Sequence, residues 1–438
     1  MRGILLKKIE TIILGAIICL IIVGISVVIF TNDSPHTGDE NKETDIVDTN
    51  QTIVLDIVTS YTETINGFGF NLLKQFNKDY NSDNYFFSPY SIFTALAMTY
   101  EGARTGTADG MGQVLKIAQD NETFHNYVKG LYGSLNHNEK YNISTANALW
   151  IKNNFKLLDA YIDVIQQFYG GETSNVDFSN PQESASIINQ WVENKTNNLI
   201  KNLISASVID PIYCRLILTN AIYFKGTWKV QFDEINTTGR EFILPSDEII
   251  NVSTMKLIDT QDRFNYTETE GFQLLELPYD GDDLSMIILL PKDHTNVTSI
   301  VESLDEGLYN QWINTMHDEE ADIYLPKFKI ETPLYKLKDY LSDLGMGLAF
   351  SDNADFSGIT EEEPLKISDV LHKAFIEVNE EGTEAAAATA VIMATTSIDG
   401  GNPPPRIVFN CDHPFIFFIQ HKETGTILFS GVMNNPTT

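Results

Sequence analysis

The second half of this chain is dominated by continuous apolar runs. Residues 216–224, 284–290, 415–420 and 426–432 carry no charge and are rich in β-branched and aromatic side chains. Runs of this length and composition fit strands buried on both faces. Residues 407–409 add a shorter one. Helical spacing is concentrated earlier. Residues 68–76 repeat apolar side chains at helical intervals, and residues 92–100 follow Ser88-Pro89, a pair suited to opening a helix. Residues 187–200 read as an amphipathic helix with Ile187, Trp191 and Leu199 available for one face. Helices early and strands late indicate an α+β domain rather than regular βαβ alternation.

The 438 residues are 43% hydrophobic and 20% charged, values of a folded globular protein. The net charge of −31 repels phosphate backbones and argues against nucleic-acid binding. No Lys/Arg cluster offers a polyanion site. Residues 11–30 are free of charge and follow Arg2, Lys7 and Lys8. They are long enough to span a bilayer once and lack a clear small-x-small cleavage site. An uncleaved anchor is favoured over a cleaved signal, with the body outside the membrane. Sequons at Asn32, Asn50, Asn121, Asn142, Asn194, Asn236, Asn251, Asn265 and Asn296 suit an externally exposed glycoprotein. Residues 31–55 are polar and acidic and read as a flexible tether. From residue 56 to the C-terminus the composition is that of one large domain.

Enzyme motifs fail. The chain has no GxSxG elbow, no HExxH and no Walker loop. Cys19, Cys214 and Cys411 are isolated, which argues against a disulfide framework or a zinc site. His413 and His421 flank a buried strand and read as structural. No cofactor is expected.

Residues 380–405 stand apart. They read Glu-Glu-Gly-Thr-Glu-Ala-Ala-Ala-Ala-Thr-Ala-Val-Ile-Met-Ala-Thr-Thr-Ser-Ile-Asp-Gly-Gly-Asn-Pro-Pro-Pro and lie between strand-like runs at 374–378 and 407–409. Ala385 to Ala388 favour a helix by propensity, and a plain disordered connection is a second bland reading. Yet the first half lacks proline and ends in β-branched and apolar residues, so it suits a loop or a strand.

The segment resembles the reactive-centre loop of serpins, and the resemblance extends from about residue 56 onward. Asn84-Tyr85-Phe86-Phe87-Ser88-Pro89-Tyr90-Ser91-Ile92 is similar to the motif opening the family's second helix. Leu218-Thr219-Asn220-Ala221-Ile222-Tyr223-Phe224-Lys225-Gly226-Thr227-Trp228 resembles the central strand of sheet A and its end. Leu325-Pro326-Lys327-Phe328-Lys329 resembles the neighbouring strand. Val370-Leu371-His372-Lys373-Ala374, Asp412-His413-Pro414-Phe415 and Phe429-Ser430-Gly431 follow in family order.

The resemblance implies N-terminal helices, a large mixed sheet A, sheets B and C, and an exposed loop. It implies a suicide inhibitor: a protease cuts the loop as an acyl-enzyme, and the cut loop inserts into sheet A. Serpin loop insertion is a standard example of strand addition and released strain. About 15 residues at about 3.3 Å each would carry the protease roughly 50 Å. By family register Thr383, Ala385, Ala387, Thr389, Val391 and Met393 turn inward, while Glu384 falls outward with Ala386 and Ala388. Gly382 supplies hinge freedom. Ser88, Ser91, Asn220 and His372 match the shutter beneath the sheet. Lys327 and Glu380 match an ion pair at its top, with Trp228 the aromatic there. The scissile bond falls at Thr396-Ser397. The extended primed side, residues 397–405, leaves Met393 or Ile398 as alternatives. The expected partner is a serine protease with a small or apolar primary pocket, a cysteine protease being the alternative, and the expected state is a monomer. A non-inhibitory binding or chaperone-like serpin is the runner-up.

Overall fold

The computed structural model describes residues 44–118, 122–136, 140–295, 297–383 and 406–437, with side chains from Val58 onward. The apolar segment at 11–30 and most of the 380–405 segment, residues 384–405, lie outside these. Among the described residues no helix is long and apolar enough to cross a membrane.

The first helix, Thr44–Asp79, starts inside the acidic segment, so residues 44–55 are helical. Ile65, Phe68, Leu72 and Phe76 recur every three or four residues and are all buried. The second helix, Pro89–Tyr100, is buried at every position. Ser88 caps it, its hydroxyl accepting from the Ser91 N–H, and Pro89 occupies the first turn. The amphipathic helix runs Pro181–Lys195, so it begins and ends earlier than the 187–200 read from its apolar spacing. Asn197 and Asn198 have positive φ (51° and 63°) and break the helical path. Its inner face is Ser184, Ala185, Ile188 and Val192, while Ile187 points to solvent. Leu199 lies beyond the helix end.

Among the described residues the strands form two sheets. In the ten-stranded one, Leu284–Pro291, Phe415–His421 and Thr426–Met433 lie side by side and are buried at every position. The strand His317–Pro326 joins two parts of this sheet. Its first half pairs with Arg263–Glu268, and its second half with Ile249–Leu257 and Ile407–Asn410. The two parts that the resemblance implies as separate sheets are thus continuous through one strand.

The other sheet has seven strands. Its central strand, Leu216–Thr227, pairs antiparallel with Tyr141–Lys152 and parallel with the pre-loop strand, Asp369–Val378. On its far side the pre-loop strand pairs with Phe328–Glu331. One face covers the main core, where Leu218, Ile222, Phe224, Val370, Ala374 and Ile376 meet the helices. The opposite face lies under the Pro181–Lys195 helix and the segment after it, through Ile188, Val192, Cys214, Ile217 and Leu371.

Candidate functional site

The parallel ladder between the central and pre-loop strands is incomplete. It runs from Asp369 opposite Ile217 to Phe375 opposite Tyr223 and stops there. Above that point the two strands diverge, and the short strand Gly382–Thr383 lies between them. It runs antiparallel to both: Thr383 faces Gly226 on one side and Val378 on the other. The start of the 380–405 segment is therefore already seated in the sheet.

Each residue of this seat has a reason. Asn379 turns the chain, exchanging backbone hydrogen bonds with Gly382 and accepting on Oδ1 from the Glu381 and Gly382 N–H groups. Gly382 has φ of +154°, and a Cβ there would lie 2.1 Å from the Gly226 carbonyl oxygen. Thr383 is fully buried, and its hydroxyl shares a 2.7 Å hydrogen bond with the Tyr279 phenol. Burial pushes the Tyr279 phenol up, so it stays neutral.

Trp228 closes the top. Its ring stacks on Tyr279 at 4.5 Å, and its Nε1 donates to the Asn379 carbonyl at 3.0 Å. The Trp228 and Phe232 N–H groups donate to the Glu381 and Glu380 carbonyls. The Glu380 carboxylate is 5% exposed and holds two partners, Lys327 Nζ at 2.7 Å and the Thr237 hydroxyl at 2.7 Å. Burial alone would raise this carboxyl. Lys327 and Thr237 more than offset it, and the group sits below its usual range.

Below the ladder's midpoint lies a polar network inside the apolar core. The Asn220 amide nitrogen donates to Ser91 Oγ and to Asn147 Oδ1, both at 2.5 Å. Ser91 Oγ donates to the same Asn147 oxygen. Asn220 Oδ1 meets His372 Nδ1 at 2.5 Å, and the Ser88 N–H donates to His372 Nε2 at 3.2 Å. Only one tautomer satisfies both contacts: Nδ1 carries the hydrogen and Nε2 accepts. A second ring proton would face the Ser88 N–H, donor against donor. Burial holds His372 down to about 3, and the ring is neutral. Ser88 Oγ donates to the Leu428 carbonyl, tying the helix start to the other sheet.

The far end of the loop is fastened elsewhere. Arg406 pairs with Glu320 at 2.9 Å and Asp322 at 2.8 Å. Ile407–Asn410 then pairs parallel with the His317–Pro326 strand of the ten-stranded sheet. The loop thus leaves one sheet and returns on the other.

Ser88, Ser91, Asn220 and His372 meet in one network, and Trp228, Lys327, Glu380, Gly382 and Thr383 meet at the sheet top. Glu384, Ala385, Ala386, Ala387, Ala388, Thr389, Thr396 and Ser397 lie outside the described residues. Sequence reasoning passed over Asn147, Tyr279, Thr237 and Asn379. Asn147 left one signal, a lone amide in the apolar run Ala146-Asn147-Ala148-Leu149. Cys214 and Cys411 are free and buried, and burial raises both thiols, Cys214 to about 11.

The family model for serpins (serine protease inhibitors) matches residues 63–436. A serpin-like protein of Thermococcus kodakarensis is 43% identical over 375 residues, covering 85% of this chain and 85% of its own length. Among solved structures, Serpin48 of the insect Tenebrio molitor superposes with a TM-score of 0.76 at 34% identity, covering 86% of this chain and 98% of that one. Human thyroxine-binding globulin, solved with thyroxine, gives 0.78 at 27% identity over 87% and 100%. The family thus contains inhibitors and also members that do other work. With its fold and its sequence both matching, this chain belongs to the serpin family.

Proposed function

We propose that the protein is a suicide-substrate inhibitor of a protease, most simply a serine protease. The observation that carries this reading is the seat of Gly382–Thr383 between two strands that are otherwise paired to each other. The protease serine attacks the carbonyl of the scissile residue, taken as Thr396, forming an ester and releasing the Ser397 amine. The loop's N-terminal part then continues down the sheet with the protease attached. Each step separates one residue pair of a parallel ladder and replaces it with two antiparallel contacts, which pair slightly better per residue.

The register of Thr383 sets where every later residue arrives. Continuing from Gly226 and Val378, Ala385 reaches Phe224 and Ile376, and Ala387 reaches Ile222 and Ala374. Thr389 arrives between Asn220 and His372, and Val391 between Leu218 and Val370. Their partners all belong to the main-core face or its polar network. The side chains that turn inward are uncharged and mostly small, as such a path demands. Met393 arrives beside Leu216, at the foot of the central strand. A cut before Met393 leaves the slot unfilled; a cut at Met393, Thr396 or Ile398 fills it. On this reading residues 11–30 hold the body outside a membrane.

The test is mixing the protein with a protease panel and looking for a complex that survives detergent. Thr383→Arg puts a charge where a fully buried hydroxyl sits. The variant should be cleaved like an ordinary substrate without trapping the protease. Full trapping by Thr383→Arg would end the insertion reading, and no trapping by the unaltered protein would favour a non-inhibitory carrier.

A further inference from the structure

The strand Tyr141–Lys152 is flanked unequally. One edge pairs with the central strand from Tyr141 opposite Gly226 to Ile151 opposite Leu216. The other edge pairs with the strand Glu172–Val176, and only from Ala148 onward. That neighbour starts late. The helical turn before it ends at Gly170, whose φ of 58° turns the chain against the Tyr132 ring, and a Cβ there would lie 2.4 Å from Tyr132 Cζ. Residues 142–146 are left as an open strand edge. Among the described residues, their backbone groups bond only to the central strand. Every second residue therefore holds an N–H and a C=O out to the side.

This edge is the floor of a groove of about 260 Å³. Consecutive residues, Asn142 to Thr145, line it, as only an edge allows, since neighbours on a sheet face alternate sides. Tyr132 and Asn136 of the helix Glu122–Asn136 wall it from the main-core side. Trp191 and Lys195 of the Pro181–Lys195 helix wall it from the opposite face. Asn147 also lines the groove and is 7% exposed. Its Oδ1 accepts from Ser91 and Asn220, and its Nδ2 has no hydrogen-bond partner among the described residues. A buried amide donor left this way costs free energy until something accepts from it. Although the chain carries a net charge of −31, no carboxylate among the described residues lines the groove. Lys195 is already paired with Glu172 at 2.6 Å, so the walls add no net charge.

We infer that this groove takes an extended, uncharged peptide segment of a partner protein, added as a strand beside residues 142–146. A strand presents alternating acceptors and donors at the spacing of the open edge, about 3.3 Å per residue. One of its carbonyls accepts from Asn147 Nδ2. The neutral walls disfavour a charged side chain, which would lose water without gaining a partner. The groove lies on the far side of the central strand from the Gly382–Thr383 seat, so docking there is independent of loop insertion.

Panning the full chain against a phage library of random heptapeptides tests it. Enriched peptides should carry few charges and should slow amide exchange in residues 142–146. Backbone pairing should set their affinity, so Ser144→Ala should bind within about twofold of the unaltered protein. Ser144→Trp fills the groove from one face and Thr145→Trp from the other, and each should bind roughly tenfold more weakly. Melting curves check that the Trp variants are folded, and a misfolded one leaves its counterpart to be read. A proline scan through an enriched peptide needs no variant of the protein, and it should lose binding at every second position, the mark of a paired strand. Four results would each overturn the docking edge: no enriched peptide, unchanged binding by the folded Trp variants, a proline scan without the two-residue period, or exchange slowed in residues 216–227 and 369–378 instead.

Discussion

Gly382 marks the closest approach of two backbones at the sheet top. Its φ of +154° and the 2.1 Å approach of a hypothetical Cβ to the Gly226 oxygen exclude any side chain without displacement. Gly382→Ala should therefore unseat Thr383 and cost the uncleaved protein about 1–3 kcal/mol, measured by urea unfolding. His372 gives a pH signature. It titrates near 6.5 unfolded and is held to about 3 when folded. The unfolded chain thus binds a proton first as pH falls, and stability declines from pH 6.5 downward. Buried His421, held down to about 4, acts in the same direction. These two rings should contribute about one proton to the uptake on unfolding at pH 6.5 and close to two by pH 5, and His372→Gln should halve that contribution. Residues of this kind were legible unevenly. Ser88 and His372 lie in ordered motifs, whereas Tyr279 ends a strand run with no periodic mark, and only the fold places it under Thr383.

At the scale of elements, the turn between the pre-loop strand and the bait loop is held from both sides. Lys327 belongs to the chain entering the neighbouring strand, and Thr237 to the loop beyond Trp228. Lys327→Ala leaves a buried Glu380 carboxylate with one partner fewer. Lys327 itself is 41% exposed, so water screens the pair and the loss should be about 1 kcal/mol. It should appear at neutral pH and shrink under acid, because the carboxylate's depressed titration makes its stabilisation present above the usual carboxylate range and lost as pH falls through its own. The inserted strand offers a second check. On the insertion reading, Thr389 arrives where Asn220 now bonds His372 and must replace that contact. Thr389→Val should lower the melting temperature of the cleaved form and leave the uncleaved form unchanged. The fully buried strands were readable from apolar runs alone, since burial on two faces leaves no polar alternation. In the Pro181–Lys195 helix the inner face was misassigned to Ile187, because Ile187 and Ile188 are adjacent and spacing cannot tell which faces inward; Ile188 is buried with Ala185 and Val192.

For the whole molecule, the insertion reading implies that the uncleaved fold is not the best pairing its strands can reach. A strand of about ten residues entering the slot adds roughly ten backbone hydrogen bonds at about 1 kcal/mol each. Calorimetry after nicking the loop should find the melting temperature raised by more than about 10 °C. The α+β architecture could be read from the order of helices and strands. That two regions of the ten-stranded sheet share the His317–Pro326 strand could not, because a strand's change of partner midway leaves no trace in its own residues. The loop's two moorings, Thr383 on one sheet and Arg406 on the other, bear on timing. On the proposed insertion reading, the uncut chain, tied at both ends, works like a drawn spring behind a catch. The Arg406 mooring supplies the catch, and a single peptide bond between the moorings is the trigger. On that reading each molecule fires once, so the population keeps a tally of the cuts it has received.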